Sequence, residues 1–378
     1  MSPRHSCLPR GEPPRDPREY SSVFRRIADC PLPLVMYGTG DGAERITRII
    51  KGYGREIELY FSSDDFFREE RIFMGKPVVK YSDVCRVLGD FAVILGFGSA
   101  RADVVRNIRR IAAERVLIAP DISPVRSYDS YDDYLTMEAF IAAREKVDAL
   151  TKALADDRSR RLFSAMISYR LSGNISYLDG TAVGDPYLWL YHSPMRYSAA
   201  ADLGADRGES SLEMLMRFPE LKRVIAVEPD ETSFRRLGRA VVADRRIEPY
   251  RRAVSHISGE IITMSSDGSR GTSADRAPNP ARGAKNVRVV TAALEDLVGG
   301  GSCELIHIDV EGMERAAIRG ASEVIERCRP DMMVSVYHRQ PDLWEIPILL
   351  HSLLPEKRLH LVRPDALPPW DIICVAEG

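Results

Sequence analysis

Cysteine is scarce in this sequence. Six occur in 378 residues, at Cys7, Cys30, Cys85, Cys303, Cys328 and Cys374, and no two stand at C-x-x-C spacing. That pattern argues against a disulfide framework and against a zinc site; reduced thiols in a cytoplasm are the expectation. No apolar run approaches the ~20 residues that a membrane span needs. The first twenty residues are rich in Pro and Arg and lack the apolar core of a secretory signal. Their composition predicts a disordered tail over 1–20. The formal net charge of -2 leaves no basic surplus for nucleic acid or an anionic membrane. No repeat of the solenoid kind is present.

What is there is a soluble globular composition, 44% hydrophobic and 29% charged, in a chain long enough for two domains. Two stretches share one grammar of apolar strand, glycine-rich turn and helix. The first runs from Leu34 into Gly38-Thr-Gly40-Asp-Gly42, the second from Ser198 through Asp202-Leu-Gly204-Ala-Asp-Arg-Gly208. Strand–helix alternation around such turns predicts α/β folding, with parallel sheets covered on both faces. We expect a nucleotide-fold (Rossmann-like) domain over 21–125, with strands at Leu34–Tyr37, Ile57–Phe61, Phe91–Leu95 and Arg115–Ile118. A helical connector is expected over 126–190, where apolar residues fall at helical spacing, and a second α/β domain over 191–378. The connector's apolar faces should pack on a neighbouring domain or on a second copy of the chain. Ser265 to about Lys285 has loop composition.

The second half carries the chemistry. Glycines at Gly204 and Gly208, with Ala205 between, let a backbone approach a ligand, and the helix that follows offers free N–H groups. Glu228 ends the next apolar strand, where a carboxylate accepts the hydroxyls of a cofactor ribose. A dinucleotide enzyme would use the same acid, so these two motifs leave the cofactor open. A third strand runs into Asp309-Val-Glu311-Gly312 and a fourth into Tyr337-His338. Carboxylates and an imidazole at strand ends face the ligand crevice and can take a proton. Glu314 reads as a solvated helical charge.

This ordered set resembles the FkbM family of methyltransferases over about Ala199 to Gly378. The Asp-Val-Glu-Gly and Tyr-His elements are its most distinctive parts, and the front domain and connector resemble those of longer members. The resemblance implies a class I methyltransferase domain with S-adenosylmethionine across the strand ends. It places Asp202, Gly204, Ala205, Gly208, Glu228 and Ala253 about that cofactor, with Ala253 near the adenine. His307 departs from the lysine that the family often has. The base that takes the acceptor's proton is expected to be a neutral His338, then Asp309, then Glu311. The same three could instead hold a divalent ion, but spacing alone does not fix metal geometry, and no metal is assigned. The expected acceptor is a carbohydrate or glycan-precursor hydroxyl. Gly38-Thr-Gly40-Asp-Gly42-Ala43, followed by Asp64 or Asp65 at about the ribose distance of a dinucleotide site, leaves other readings open. They are a nicotinamide-dependent oxidoreductase or epimerase and a nucleotide-responsive scaffold. The front domain could equally bind nothing.

Overall fold

The structure, a computed structural model, describes residues 22–124, 133–183, 185–266 and 285–378. The tail expected over 1–20 lies outside the described residues, as does nearly all of the polar loop after Ser265.

The first sheet contains β1 (Leu34–Tyr37), β2 (Ile57–Ser62), β3 (Ile72–Phe73), β4 (Lys76–Lys80), β5 (Ala92–Leu95) and β6 (Val116–Ile118), in the order β3-β4-β2-β1-β5-β6. All pairings are parallel except that of the short β3. β1 and β5 are buried at every position, as continuous apolar strands covered on both faces should be. The helix Asp41–Gly52 buries Ala43, Ile46, Thr47 and Ile50, a stripe at helical spacing that lies on the sheet. The helix Ala102–Glu114 does the same with Val104, Val105, Ile108 and Ile111.

The second sheet is built from β7 (Ala199–Leu203), β8 (Arg223–Val227), β9 (Ile247–Tyr250), β13 (Leu305–Ile308), β14 (Asp331–Ser335), β15 (Arg358–Val362) and β16 (Ile373–Glu377). A small three-stranded sheet of β10 (Ala253–Val254), β11 (Ile261–Ser266) and β12 (Lys285–Ala292) lies beside it. The large sheet runs β15-β16-β14-β13-β7-β8-β9, with β16 antiparallel to both its neighbours. Strand order reverses between β7 and β13, which makes the crevice above that pair the natural ligand site. Two Rossmann-like α/β units, the second with class I methyltransferase topology, are thus present as expected.

Between the sheets lie three helices, Met137–Ala142, Arg144–Ala153 and Asp157–Ser172. The longest ends on Gly173, whose left-handed φ of 69° closes it, and the Gly173 carbonyl accepts the Ala119 N–H just beyond β6 at 2.8 Å. At the other edge Ala155 donates to the Leu359 carbonyl, and the Ser159 hydroxyl accepts the Leu361 N–H, both at 2.9 Å. One apolar cluster runs from Val35 and Ile108 through Leu150, Phe163 and Met166 to Leu203 and Ile306. The connector therefore packs on both α/β units of its own chain. A direct bridge adds to this, since Ser99 and Leu367 exchange two backbone hydrogen bonds at 3.0 Å.

Candidate functional site

The carboxyl ends of β7, β8, β13 and β14 open into one cavity of about 770 Å³. Its first wall holds Gly204, Ala205, Asp206, Glu228 and Ala253, and its second holds His307, Asp309, Glu311 and Tyr337. The front domain closes it with Asp41, Gly42 and Arg45, and Trp370 and Asp371 complete the rim. That volume is in the range of small-molecule sites. The front-domain share was not legible in the sequence, because nothing local tells one α/β unit that its glycine turn faces another.

The glycine turn after β7 is required first by a contact within the fold. Gly204 adopts φ +93°, and a Cβ there would stand 1.9 Å from the Asp309 carbonyl oxygen. The close approach is thus first to the loop after β13, whose Asp309 N–H donates to Leu203 at 2.9 Å. Gly208, at φ +84°, is not on the cavity wall. A Cβ there would lie 2.5 Å from that of Ala240, so this glycine lets two helices meet.

Asp202 is fully buried beneath the wall. Its carboxylate accepts the Ser210 hydroxyl at 2.7 Å and the Ser211 hydroxyl, and lies 2.8 Å from His307 Nδ1. Burial alone would raise its pKa, but the imidazole and the two hydroxyls outweigh that and lower it. Burial would likewise lower His307, and Asp202 raises it instead. Asp202 thus holds the start of the following helix and, through His307, the floor of the cavity. Asp202 holds His307 toward its protonated form, at a position where the resembled family often has lysine.

Glu228 does reach the cavity. Its two oxygens accept the N–H groups of Asp206 at 2.9 Å and Asp230 at 2.7 Å. It is 7% exposed, and burial pushes its pKa up to about 8 against the pull of those two donors. Each oxygen keeps a lone pair for a hydroxyl donor. Ala253 and Val254, with Ile262 and Met264, give the same end an apolar surface suited to a flat base. The donors, the carboxylate and this surface fit S-adenosylmethionine.

On the second wall β13 and β14 run in register, Ile308 beside Val334. The turns that follow bring Asp309, Glu311, Glu314 and His338 together. His338 Nδ1 lies 2.9 Å from Glu314 Oε1, and its Nε2 lies 3.5 Å from Asp309 Oδ1 and 3.6 Å from Glu311 Oε2. Glu314 is 1% exposed, which corrects its reading as a solvated charge. Its Oε1 also accepts the N–H groups of Val310 at 3.1 Å and Gly312 at 3.2 Å, so it shapes the turn that carries Asp309 and Glu311. The sequence signal for this was faint: an acid two residues after a glycine that leaves a strand.

His338 is fully buried and stands behind Asp309 and Glu311 rather than on the cavity wall. Burial would lower its pKa, but Glu314 first, then Asp309 and Glu311, push it up to about 10. The expectation of a neutral ring is therefore corrected: surrounded by three carboxylates, this imidazole holds its proton. The segment behind it is fastened by the other two parts of the chain. The Ser123 hydroxyl donates to the His338 carbonyl, Arg170 to the Gln340 carbonyl at 2.9 Å, and the Gln340 amide to the Asp121 carbonyl at 3.2 Å. Buried Arg170 also pairs with Asp121 at 2.8 Å.

Strain gathers at the same place. Non-glycine residues at positive φ cost of the order of 1–3 kcal/mol each and cluster at functional sites. Three of them, Asp206 at 43°, Glu311 at 51° and Asp371 at 55°, line this cavity.

Residues 202–359 match the Methyltransferase FkbM domain. Across almost its whole length the chain is similar in structure to the methyltransferase FkbM of Methylobacillus flagellatus. The TM-score is 0.65 at 18% identity, covering 95% of this chain and 91% of that one, a likeness of fold. An rRNA methylase from Streptococcus thermophilus matches with TM-score 0.31 at 9% identity, over 50% of this chain and 92% of that one. Aeropyrum pernix fibrillarin matches with TM-score 0.30 at 14% identity, over 48% and 66%. No curated protein matches the chain. The chain is an S-adenosylmethionine-dependent methyltransferase, and its match to the FkbM domain lies within the second α/β unit.

Proposed function

We propose that the chain is a cytoplasmic O-methyltransferase whose acceptor is a hydroxyl of a carbohydrate or glycan precursor. The observation that carries this reading is the pair of carboxylates, Asp309 and Glu311, that line the same cavity as Glu228. S-adenosylmethionine supplies a sulfonium methyl that needs no further activation. The chain must then hold Glu228 to the ribose hydroxyls and align an acceptor oxygen from the Asp309 side. As the C–O bond forms and the C–S bond breaks, the hydroxyl proton must leave, and an unactivated hydroxyl needs a base to take it. Asp309 and Glu311 stand on the wall where that proton is released, while His338 behind them fixes their positions. His338 is thus a positioning residue for the two carboxylates.

A sugar suits the rest of the cavity. Carboxylates accept hydroxyl hydrogen bonds, and the Trp370 indole, 44% exposed at the rim, offers an apolar face for a pyranose ring. The nicotinamide reading of the front domain has less support. A Cβ on Gly38 would stand 2.6 Å from the Phe97 ring, and Gly42 lies against the Gly96 carbonyl. Those approaches fill space beside the turn with the domain's own atoms.

The test is mass spectrometry of sugar and glycan acceptors incubated with the protein and S-adenosylmethionine. The reading expects a gain of one methyl on a hydroxyl oxygen. Transfer only to amine or carboxylate acceptors would refute it.

A further inference from the structure

We infer that Asp309, Glu314 and His338 form a binding site for a divalent cation. Each offers one ligand atom, and these atoms lie within 4.8 Å of one another. Independent support comes from what those side chains leave unpaired. Asp309 Oδ1, Glu314 Oε2 and His338 Nε2 are buried polar atoms without a hydrogen-bond partner. Glu314 and His338 are at least 99% buried, so water cannot meet the need from bulk. Buried polar atoms are nearly always hydrogen-bonded, so one left over on each of three neighbouring side chains is an unusual concentration.

Among the described residues a second buried imidazole, His360, also sits among carboxylates and supplies the contrast. His360 places Nδ1 2.6 Å from Asp156 and Nε2 3.0 Å from Glu377, so both its nitrogens are partnered. That cluster is complete as it stands and reads as structural. The His338 cluster has the same residue types, but one polar atom on each of Asp309, Glu314 and His338 is left without a hydrogen bond. A cation there does for the surrounding carboxylates what the ring proton otherwise does.

The donor set is one imidazole and two carboxylates. Mixed nitrogen and oxygen ligands suit a first-row divalent ion such as Mn²⁺, with coordination positions left open. Asp309 lies on the cavity wall while Glu314 and His338 lie behind it, so an open position would face the cavity. There the ion would hold an acceptor oxygen and ease loss of its proton to a neighbouring carboxylate. That role rests on the proposed hydroxyl acceptor. Binding of the ion does not.

The test is titration of the metal-free full chain with MnCl₂, followed by electron paramagnetic resonance of free Mn²⁺, without cofactor or acceptor. One ion per chain is expected. Asp309→Asn and His338→Ala should each weaken binding at least about tenfold, while His360→Gln leaves it unchanged. Binding of S-adenosylhomocysteine reports that each variant is folded; Asp309, whose side chain is 35% exposed, gives the variant least dependent on core packing. Absence of Mn²⁺ binding to the unaltered protein would overturn the site. So would binding that survives Asp309→Asn in folded protein. Methyl transfer to hydroxyls that persists without any bound ion would leave the O-methyltransferase reading intact and remove only the ion's role.

Discussion

Glu314 Oε1 sits 2.9 Å from His338 Nδ1, and the same oxygen accepts two backbone N–H groups from the turn that carries Asp309 and Glu311. One buried carboxylate therefore sets both the imidazole and the loop in front of it. Glu314→Ala takes the nearest of three carboxylates from the buried ring and the acceptor from two backbone N–H groups, a change worth about 3–5 kcal/mol. Glu314→Gln keeps an acceptor oxygen for the turn and should cost less. Thermal unfolding of the two variants checks the order. Equal stability of Glu314→Ala and the unaltered protein would dismiss the arrangement.

Glu228 gives a pH dependence. Its pKa is raised from an ordinary 4.5 to about 8 in the folded chain. The folded state thus keeps a proton that the unfolded state has lost between those values, and Glu228's contribution to stability falls as pH rises through that window. Binding runs the other way, since accepting two ribose hydroxyls favours the ionised form. Affinity for S-adenosylhomocysteine should rise between pH 7 and 9, an interval chosen to bracket about 8. Glu228→Gln should flatten this dependence, as calorimetry across the interval would show. A flat profile in the unaltered protein would remove Glu228 from the ribose.

The two glycine turns should respond differently. Gly204→Ala places a Cβ against the Asp309 carbonyl at a φ that side chains avoid, so a loss of about 2 kcal/mol or more is expected together with loss of cofactor binding. Gly40 has nothing within 4 Å of where its Cβ would stand and an extended backbone. Gly40→Ala, at a helix N-cap, should cost no more than about 1 kcal/mol and leave cofactor binding unchanged. The reverse pattern would place the cofactor in the front domain.

Trp370 packs on Gly98 of the front domain and lines the cavity. Ligand entry should change its emission, and Trp370→Phe should abolish that change while Trp189 and Trp344 continue to fluoresce. An unaltered signal change in Trp370→Phe would put the ligand away from this rim.

Much of this was legible because it is local. The apolar runs at Leu34 and Leu305, the helical stripe from Ala43 to Ile50 and the acid ending at Glu228 each carry their own pattern. The convergence of Asp309 and Glu311 with His338 followed from neighbouring parallel strands. What escaped the sequence depends on distant contacts. Glu314 is buried only because the His338 segment covers it, and Gly204 is needed only because Asp309 lies above it. Arg45 reaches the cavity because the connector brings the two α/β units together.

The most direct test is calorimetric titration of the full chain with S-adenosylhomocysteine and, separately, with NAD(P). One S-adenosylhomocysteine should bind per chain, weakened by about 1–3 kcal/mol in Glu228→Ala, with no heat from NAD(P). Unchanged affinity in folded Glu228→Ala, or NAD(P) binding abolished by a change at Gly40, would contradict this.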